Sequence, residues 1–201
     1  MSNWILAALV IMGSLFIVKL VFVSSILSVF AITRGAMFHP SASIRVRTFL
    51  DGVPMAHDEL LIDMGCGDGR VLSAAHKRYG VRAIGYEVNP VAYLLAKLRT
   101  MSKQGVAVRW KNFWKADVGE ADVLFCYLFP DVMEKVARKL ESELHQGARV
   151  VSGNFPLPGW RHFKVFYPAS SLNNSPIYVY RFPESCDPAL RTASSRQPPL
   201  H

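Results

Sequence analysis

Cysteine is scarce in this chain: Cys66, Cys126 and Cys186 are far apart and odd in number. They suggest neither a disulfide framework nor a zinc site, and they suit a reducing compartment. The six histidines show no metal-ligand spacing, so no metal is expected. Acidic residues are also in deficit, 15 Asp/Glu against 23 Lys/Arg, for a net charge of +8. The deficit is uneven. Residues 1–115 carry 14 basic and 6 acidic side chains, whereas residues 116–201 carry 9 of each. The whole excess therefore lies in the N-terminal part. Nucleic acid is one reason for a basic face, but an anionic membrane surface is the more economical one here.

That economy comes from the first segment. Trp4 to Ile32 is apolar apart from serines and Lys19. As a helix it would extend roughly 43 Å, more than the ~30 Å hydrocarbon core. A signal peptide would want a basic start and a shorter apolar core, and Met1-Ser2-Asn3 carries no basic side chain. The segment predicts a retained transmembrane helix. Arg34, Arg45 and Arg47 follow it, which places the remaining chain on the cytosolic side. That side belongs to a bacterial inner membrane, or to the mitochondrial inner membrane in a eukaryote. Lys19 would snorkel to the outer surface or meet an acid of another membrane protein. Ser41 is a candidate N-cap for a short juxtamembrane helix. Its Ile44, Phe49 and Leu50 would pack on the domain, with Arg45 and Arg47 turned to lipid headgroups.

The chemistry centres on Leu60-Leu61-Ile62-Asp63-Met64-Gly65-Cys66-Gly67-Asp68-Gly69-Arg70. Apolar residues run into an acid, and a glycine then falls at every second position. This reads as a buried strand, a tight turn and a helix start, with room for a ligand and free N–H groups beneath it. The third glycine comes one residue too early for the dinucleotide fingerprint G-x-G-x-x-G. The next strand ends in Glu87, which can accept hydrogen bonds from both ribose hydroxyls of a nucleoside. A glycine-rich turn in some other α/β domain is the alternative.

Alternation of strands and helices continues along the chain. Asn89-Pro90 opens a helix, and Val106 to Trp110 is a strand followed by Asn112-Phe113-Trp114. Asp122 to Cys126 is a fourth strand with Tyr127-Leu128-Phe129-Pro130 at its exit. Asp131 and Glu134 predict a capping box for the next helix. Ala148 to Ser152 precedes Asn154-Phe155-Pro156-Leu157-Pro158-Gly159-Trp160, a proline-stiffened aromatic loop. Phe163–Tyr167 and Ile177–Phe182 alternate as a final pair of strands. Glu184 to His201 has the composition of a disordered tail.

The glycine turn with its strand-end acid resembles class I S-adenosylmethionine-dependent methyltransferases. Within them the chain resembles a narrower branch, the membrane-anchored lysine methyltransferases of the ATP synthase c subunit and of the adenine nucleotide translocase, with bacterial relatives. The matching pieces are the N-terminal apolar segment, Asp63-x-Gly65-x-Gly67-Asp68-Gly69-Arg70, Gly85-Tyr86-Glu87-x-Asn89-Pro90, Lys135–Leu144, Ala148-Arg149-Val150-Val151 and Phe155-Pro156-x-Pro158-x-Trp160. One feature departs from the branch: Met37-Phe38-His39-Pro40-Ser41 stands where it has a Pro-aromatic-x-Pro-like run. The strand-four exit, Tyr127-Leu128-Phe129-Pro130, is not the Asn-Pro-Pro-Tyr of amide- and adenine-methylating relatives, which argues against those substrates.

The resemblance implies an α/β, Rossmann-like sandwich, mostly parallel with an antiparallel C-terminal strand, behind an N-terminal transmembrane helix. The expected organisation is an anchor over 1–33, a basic juxtamembrane segment over 34–58, a methyltransferase domain over 59–183 and a tail over 184–201. The cofactor implied is S-adenosyl-L-methionine, held by Asp63, Gly65, Cys66, Gly67, Gly69, Glu87, Val88, Asn112 and Phe113. Asn112 would read the adenine edge and Phe113 pack its face; plain core packing is the competing role of Phe113. Tyr127 is the candidate catalytic residue, orienting an amine. Phe129, Pro130, Phe155, Pro156 and Trp160 would line an apolar slot for a lysine of a membrane protein. The partners expected are that protein and the bilayer, without nucleic acid or metal. Methylation of a lipid or quinone-like molecule, and a non-catalytic cofactor-binding scaffold, are the alternatives.

Overall fold

The computed structural model describes residues 3–33, 43–169 and 175–187. The expected Ser41 cap, the Met37–Ser41 departure and the tail beyond residue 187 lie outside the described residues.

Five strands run in parallel because each pair is joined by a crossover rather than a hairpin. The strands are β1 Leu60–Met64, β2 Arg82–Glu87, β3 Val106–Trp110, β4 Val123–Cys126 and β5 Arg149–Gly153. Then β6 Lys164–Phe166 and β7 Ile177–Arg181 complete a sheet of order β3-β2-β1-β4-β5-β7-β6. Strand β7 is antiparallel to both its neighbours, so it alone runs against the rest. The fold is the expected Rossmann-like α/β sandwich. Every residue of β1 and of β4 is buried, which explains their unbroken apolar runs.

Helices α2 Ser43–Gly52, α3 Arg70–Tyr79 and α4 Pro90–Thr100 cover one face, and α5 Met133–Glu143 covers the other. Helix α3 buries Val71, Leu72 and Ala75, and Gly80 ends it in the left-handed region, at φ 71°. Helix α4 opens at Asn89-Pro90 as expected, and Asn89 caps it: its Oδ1 accepts from the Val91 and Ala92 N–H groups at 3.0 and 3.1 Å.

The capping box of α5 does not form. Pro130–Val132 make a 3₁₀ turn that feeds directly into α5, and its i→i+3 bonds take up N–H groups that a cap would have served. Glu134 bonds Arg138 instead, at 3.1 Å. Residues 184–187, assigned to the tail, form a turn against the loop after β5. Ser185 is buried, and the Asp187 N–H donates to Gly159 O at 2.8 Å.

Helix α1, Asn3–Thr33, exposes large apolar side chains from Val10 to Val23. Among the described residues no helix is long and apolar enough to cross a membrane.

Candidate active site

Open parallel sheets leave a crevice beyond the C-terminal ends of their strands, where the chain order reverses. Here that point lies between β1 and β4, and the glycine turn leaves β1 beside it. The turn is held from β2. Gly65 and Cys66 N–H both donate to Tyr86 O at 3.0 Å. Gly67 N–H donates to Glu87 Oε2 at 2.9 Å, and Val88 and Asn89 N–H donate to Glu87 Oε1 at 2.8 Å each. Gly65, Gly67 and Gly69 all have positive φ, 82°, 54° and 72°, so any other residue would be strained there.

Glu87 is 7 % exposed. Burial pushes its carboxyl up from the ordinary glutamate value, against the three backbone donors that favour the charged form. A carboxylate offers about four acceptor positions, so roughly one remains, on Oε2. Asp63 lies deeper, 2 % exposed, and burial with the nearby Glu87 and Asp68 charges pushes its carboxyl well up. Burial also raises the Cys66 thiol, which makes it a packing residue rather than a nucleophile.

Three supports of this turn are not visible as such in the sequence. Asp68 Oδ2 receives Arg70 Nη2 at 2.7 Å and Arg99 Nη2 at 2.8 Å, and Arg99 Nε donates to the Asp68 carbonyl at 2.8 Å. Burial alone would raise the Asp68 carboxyl, but the Arg70 hydrogen bond and the two guanidinium charges together hold it below its ordinary value. Gly85 gives room to the turn: a Cβ there would lie 2.5 Å from Leu72 Cδ1 and 2.6 Å from Cys66 Sγ. A Cβ on Gly69 would meet Ala96 at 3.1 Å, so α3 starts hard against α4. The Asp-x-Arg spacing hints at the first support; Arg99, 31 residues on, could not have been found.

Asn112 Oδ1 accepts the Trp114 N–H at 3.0 Å and caps a 3₁₀ turn over Phe113–Lys115. Its amide NH₂ is not used in that bond. Phe113 is 4 % exposed within the core and touches Trp114, with ring centroids 4.7 Å apart.

The exits of β4 and β5 lie side by side, since Cys126 pairs with Ser152. Tyr127, Phe129 and Pro130 thus share one end of the sheet with Phe155 and Pro156. A Cβ on Gly153 would lie 2.9 Å from Tyr127 Cδ2. Between these exits, Asn154 takes φ 73°, a left-handed position uncommon outside glycine. Trp160 is not with them. Its Nε1–H donates to Glu141 Oε1 on α5 at 2.9 Å, and its ring stacks on Phe182, whose N–H bonds Ala148 O just before β5 begins. Trp160 is therefore a core residue near the opposite end of the sheet, and it does not line the slot. Asp122 is at that end too, with Oδ2 accepting the Leu60 N–H at 2.7 Å.

Arg45 also departs from expectation. It does not face headgroups: it is 4 % exposed, and its guanidinium lies 4.4 Å from the centre of the Tyr127 ring. Its Nε and Nη1 have no hydrogen-bond partner. The amphipathic register of α2 explains the inward turn, because Arg45, Val46, Phe49 and Leu50 share its buried face, while Arg47 is exposed.

A donor-lined turn, an acceptor on the next strand and a side-chain-free floor fit an adenosyl amino acid. Residues 63–164, just over half of the chain, match the family model described as the ANTKMT methyltransferase domain. A protein-lysine N-methyltransferase of Saccharolobus islandicus is 35% identical over 146 residues, 70% of this chain and 90% of that protein. The adenine nucleotide translocase lysine N-methyltransferase of Mus musculus is 42% identical over 109 residues, 52% of this chain and 47% of that protein. The chain thus spans about half the length of that mammalian relative. Among solved structures, an RNA methyltransferase from Salinibacter ruber in complex with S-adenosyl-L-homocysteine superposes with a TM-score of 0.69 at 26% identity, covering 76% of this chain and 99% of that one. The chain belongs to the ANTKMT methyltransferase domain family, and its cofactor is S-adenosyl-L-methionine.

Proposed function

We propose that this chain is a membrane-tethered protein-lysine N-methyltransferase acting on a membrane protein. The observation that carries the reading is one juxtaposition: the Glu87-held glycine turn opens at the same sheet end as the Tyr127 and Phe155 exits. Its lysine-methylating relatives favour that substrate class.

In this reading Glu87 takes one ribose hydroxyl on Oε2, and the second shares Oε1 with the Val88 and Asn89 N–H groups. Gly65, Cys66 and Gly67 lie along the amino-acid part, Asp63 and Gly69 shape the turn from below, and Asn112 offers its NH₂ to the adenine edge. Phe113 supports that edge from the core. The bound cofactor supplies a sulfonium-activated methyl group. What the protein adds is alignment and exclusion of water. A lysine must also be neutral to attack. At pH 7 an ordinary lysine sits about three units below its pKa, a cost of about 4–5 kcal/mol. An apolar slot of Phe129, Pro130, Phe155 and Pro156 lowers that cost by disfavouring the ammonium. Arg45 acts in the same direction, since a fixed cation behind Tyr127 repels a second one. Tyr127 is left to orient the amine.

The exposed apolar surface of α1 supports the tether. It holds the site beside its substrate and raises the effective concentration; the domain would face the cytosolic side. Isolated membranes given methyl-tritiated cofactor test the reading. Label in protein, at lysine, supports it. Label in extractable lipid would overturn the substrate class, and cofactor binding without label would make the chain a scaffold.

A further inference from the structure

Helix α4 has an outer side as apolar as an inner one. Leu94, Leu95, Leu98 and Met101 are 58, 47, 57 and 79 % exposed, and Val91 continues the ridge one turn earlier. Trp110, on the adjoining edge strand β3, is 66 % exposed. Its Nε1–H donates to Val88 O at 3.1 Å while its ring stacks on Tyr93 at 5.9 Å, so the indole is held outward and rigid. A groove of about 340 Å³ runs between α4 and β3, with Leu98, Met101 and Val106 as walls and Lys97 and Lys103 at its rims. Residues 88 to 115 carry six Lys/Arg and no Asp/Glu. The same helix layer continues into a second groove, between α2 and α3, lined by Arg47, Lys77 and Arg78. Helix α1 comes alongside α4.

We propose that the α4–β3 side of the domain is a docking face for an anionic lipid surface. The aliphatic ridge enters the acyl boundary, Trp110 sits at headgroup level, and Lys97 and Lys103 meet lipid phosphates. The pattern is that of a helix lying in an interface: apolar where it would be immersed, cationic along its flanks. RNA would be drawn to the same charge and Trp110 offers one planar face, but the longer ridge of Val91, Leu94, Leu95 and Leu98 has no planar face on which successive bases could stack. The inference extends the tethered reading. It fixes which side of the domain lies on the bilayer and leaves the crevice at the strand ends beside it, not under it.

A nitroxide label measures this directly. The full chain carries Leu98→Cys on a Cys186→Ser background, in vesicles of phosphatidylcholine with or without phosphatidylglycerol. Met101→Cys reports the same depth independently, and Arg138→Cys on α5 marks the opposite face. On phosphatidylglycerol vesicles the label at 98 should lose accessibility to a water-soluble nickel chelate and keep it to oxygen, while that at 138 stays open to both. Adding Lys97→Glu and Lys103→Glu should return the label at 98 to water. A chain embedded in vesicles with 98 still open to nickel would overturn the docking face and leave the tether standing. A chain that never associates with vesicles overturns both. A label shielded from both reagents indicates a protein contact, and one shielded only on adding RNA indicates RNA; either overturns the proposal.

Discussion

Glu87 holds three backbone donors on two oxygens and is itself nearly buried. Its charged form is what two ribose hydroxyls need, and burial resists that form. For the empty protein, the raised carboxyl favours folding in acid, below the ordinary glutamate pKa, and that contribution is lost as pH rises through the raised value. Cofactor binding runs the other way and weakens as pH falls through it. Glu87→Gln should weaken S-adenosylmethionine about tenfold, a loss of ~1.4 kcal/mol, and should flatten that acid dependence; calorimetric titration across pH reads both. Arg45 gives a second test at this scale. If its charge keeps the incoming lysine neutral, Arg45→Met should move the alkaline rise of the pH–rate profile upward by up to about one unit, with cofactor affinity unchanged. A profile that stays in place removes the role. Arg45 itself was legible only as a basic residue near an anchor. Its burial depends on the register of α2 against the sheet, which local composition does not fix.

The elements explain why the turn keeps its shape. Asp68 ties the start of α3 to α4 through Arg70 and Arg99, both partly exposed, so solvent screens part of the interaction. Asp68→Asn should cost about 1–2 kcal/mol of unfolding free energy. Because the Asp68 carboxyl is depressed, its contribution is present above the ordinary aspartate pKa and is lost as pH falls through the depressed one. Denaturant melts of the two proteins should therefore differ at pH 7 and converge in acid. Gly85→Ala forces a methyl group against Leu72 and Cys66, which should cost about 1–3 kcal/mol and weaken cofactor binding with it, measurable in the same melts and titrations. Strands, their order of type and the helix start at Asn89-Pro90 were legible because each rests on neighbours in sequence: apolar runs, glycine stops, Asn before Pro. The capping box at Asp131 was misread because Pro130 starts a 3₁₀ turn that does the same work. Trp160 was misplaced because the loop after β5 runs back along α5 to Glu141, a contact no local pattern encodes.

Taken whole, the molecule is a parallel sheet with its ligand crevice at one end, a cationic helix layer on one face and an apolar helix before it. The family and cofactor follow from the domain. The proposed tether and membrane-protein substrate rest on the remainder of the chain, and the tether can stand without the α4–β3 docking face. The charge split between residues 1–115 and 116–201 was readable at once; that the excess gathers on α2, α3, α4 and β3 required the fold. The most direct measurement is mass spectrometry of membrane proteins from cells carrying the intact chain and cells carrying Glu87→Ala. The account predicts at least one membrane-protein lysine whose methylation disappears with the substitution. An unchanged set of methyl-lysines, in cells where the intact protein still binds its cofactor, would contradict it.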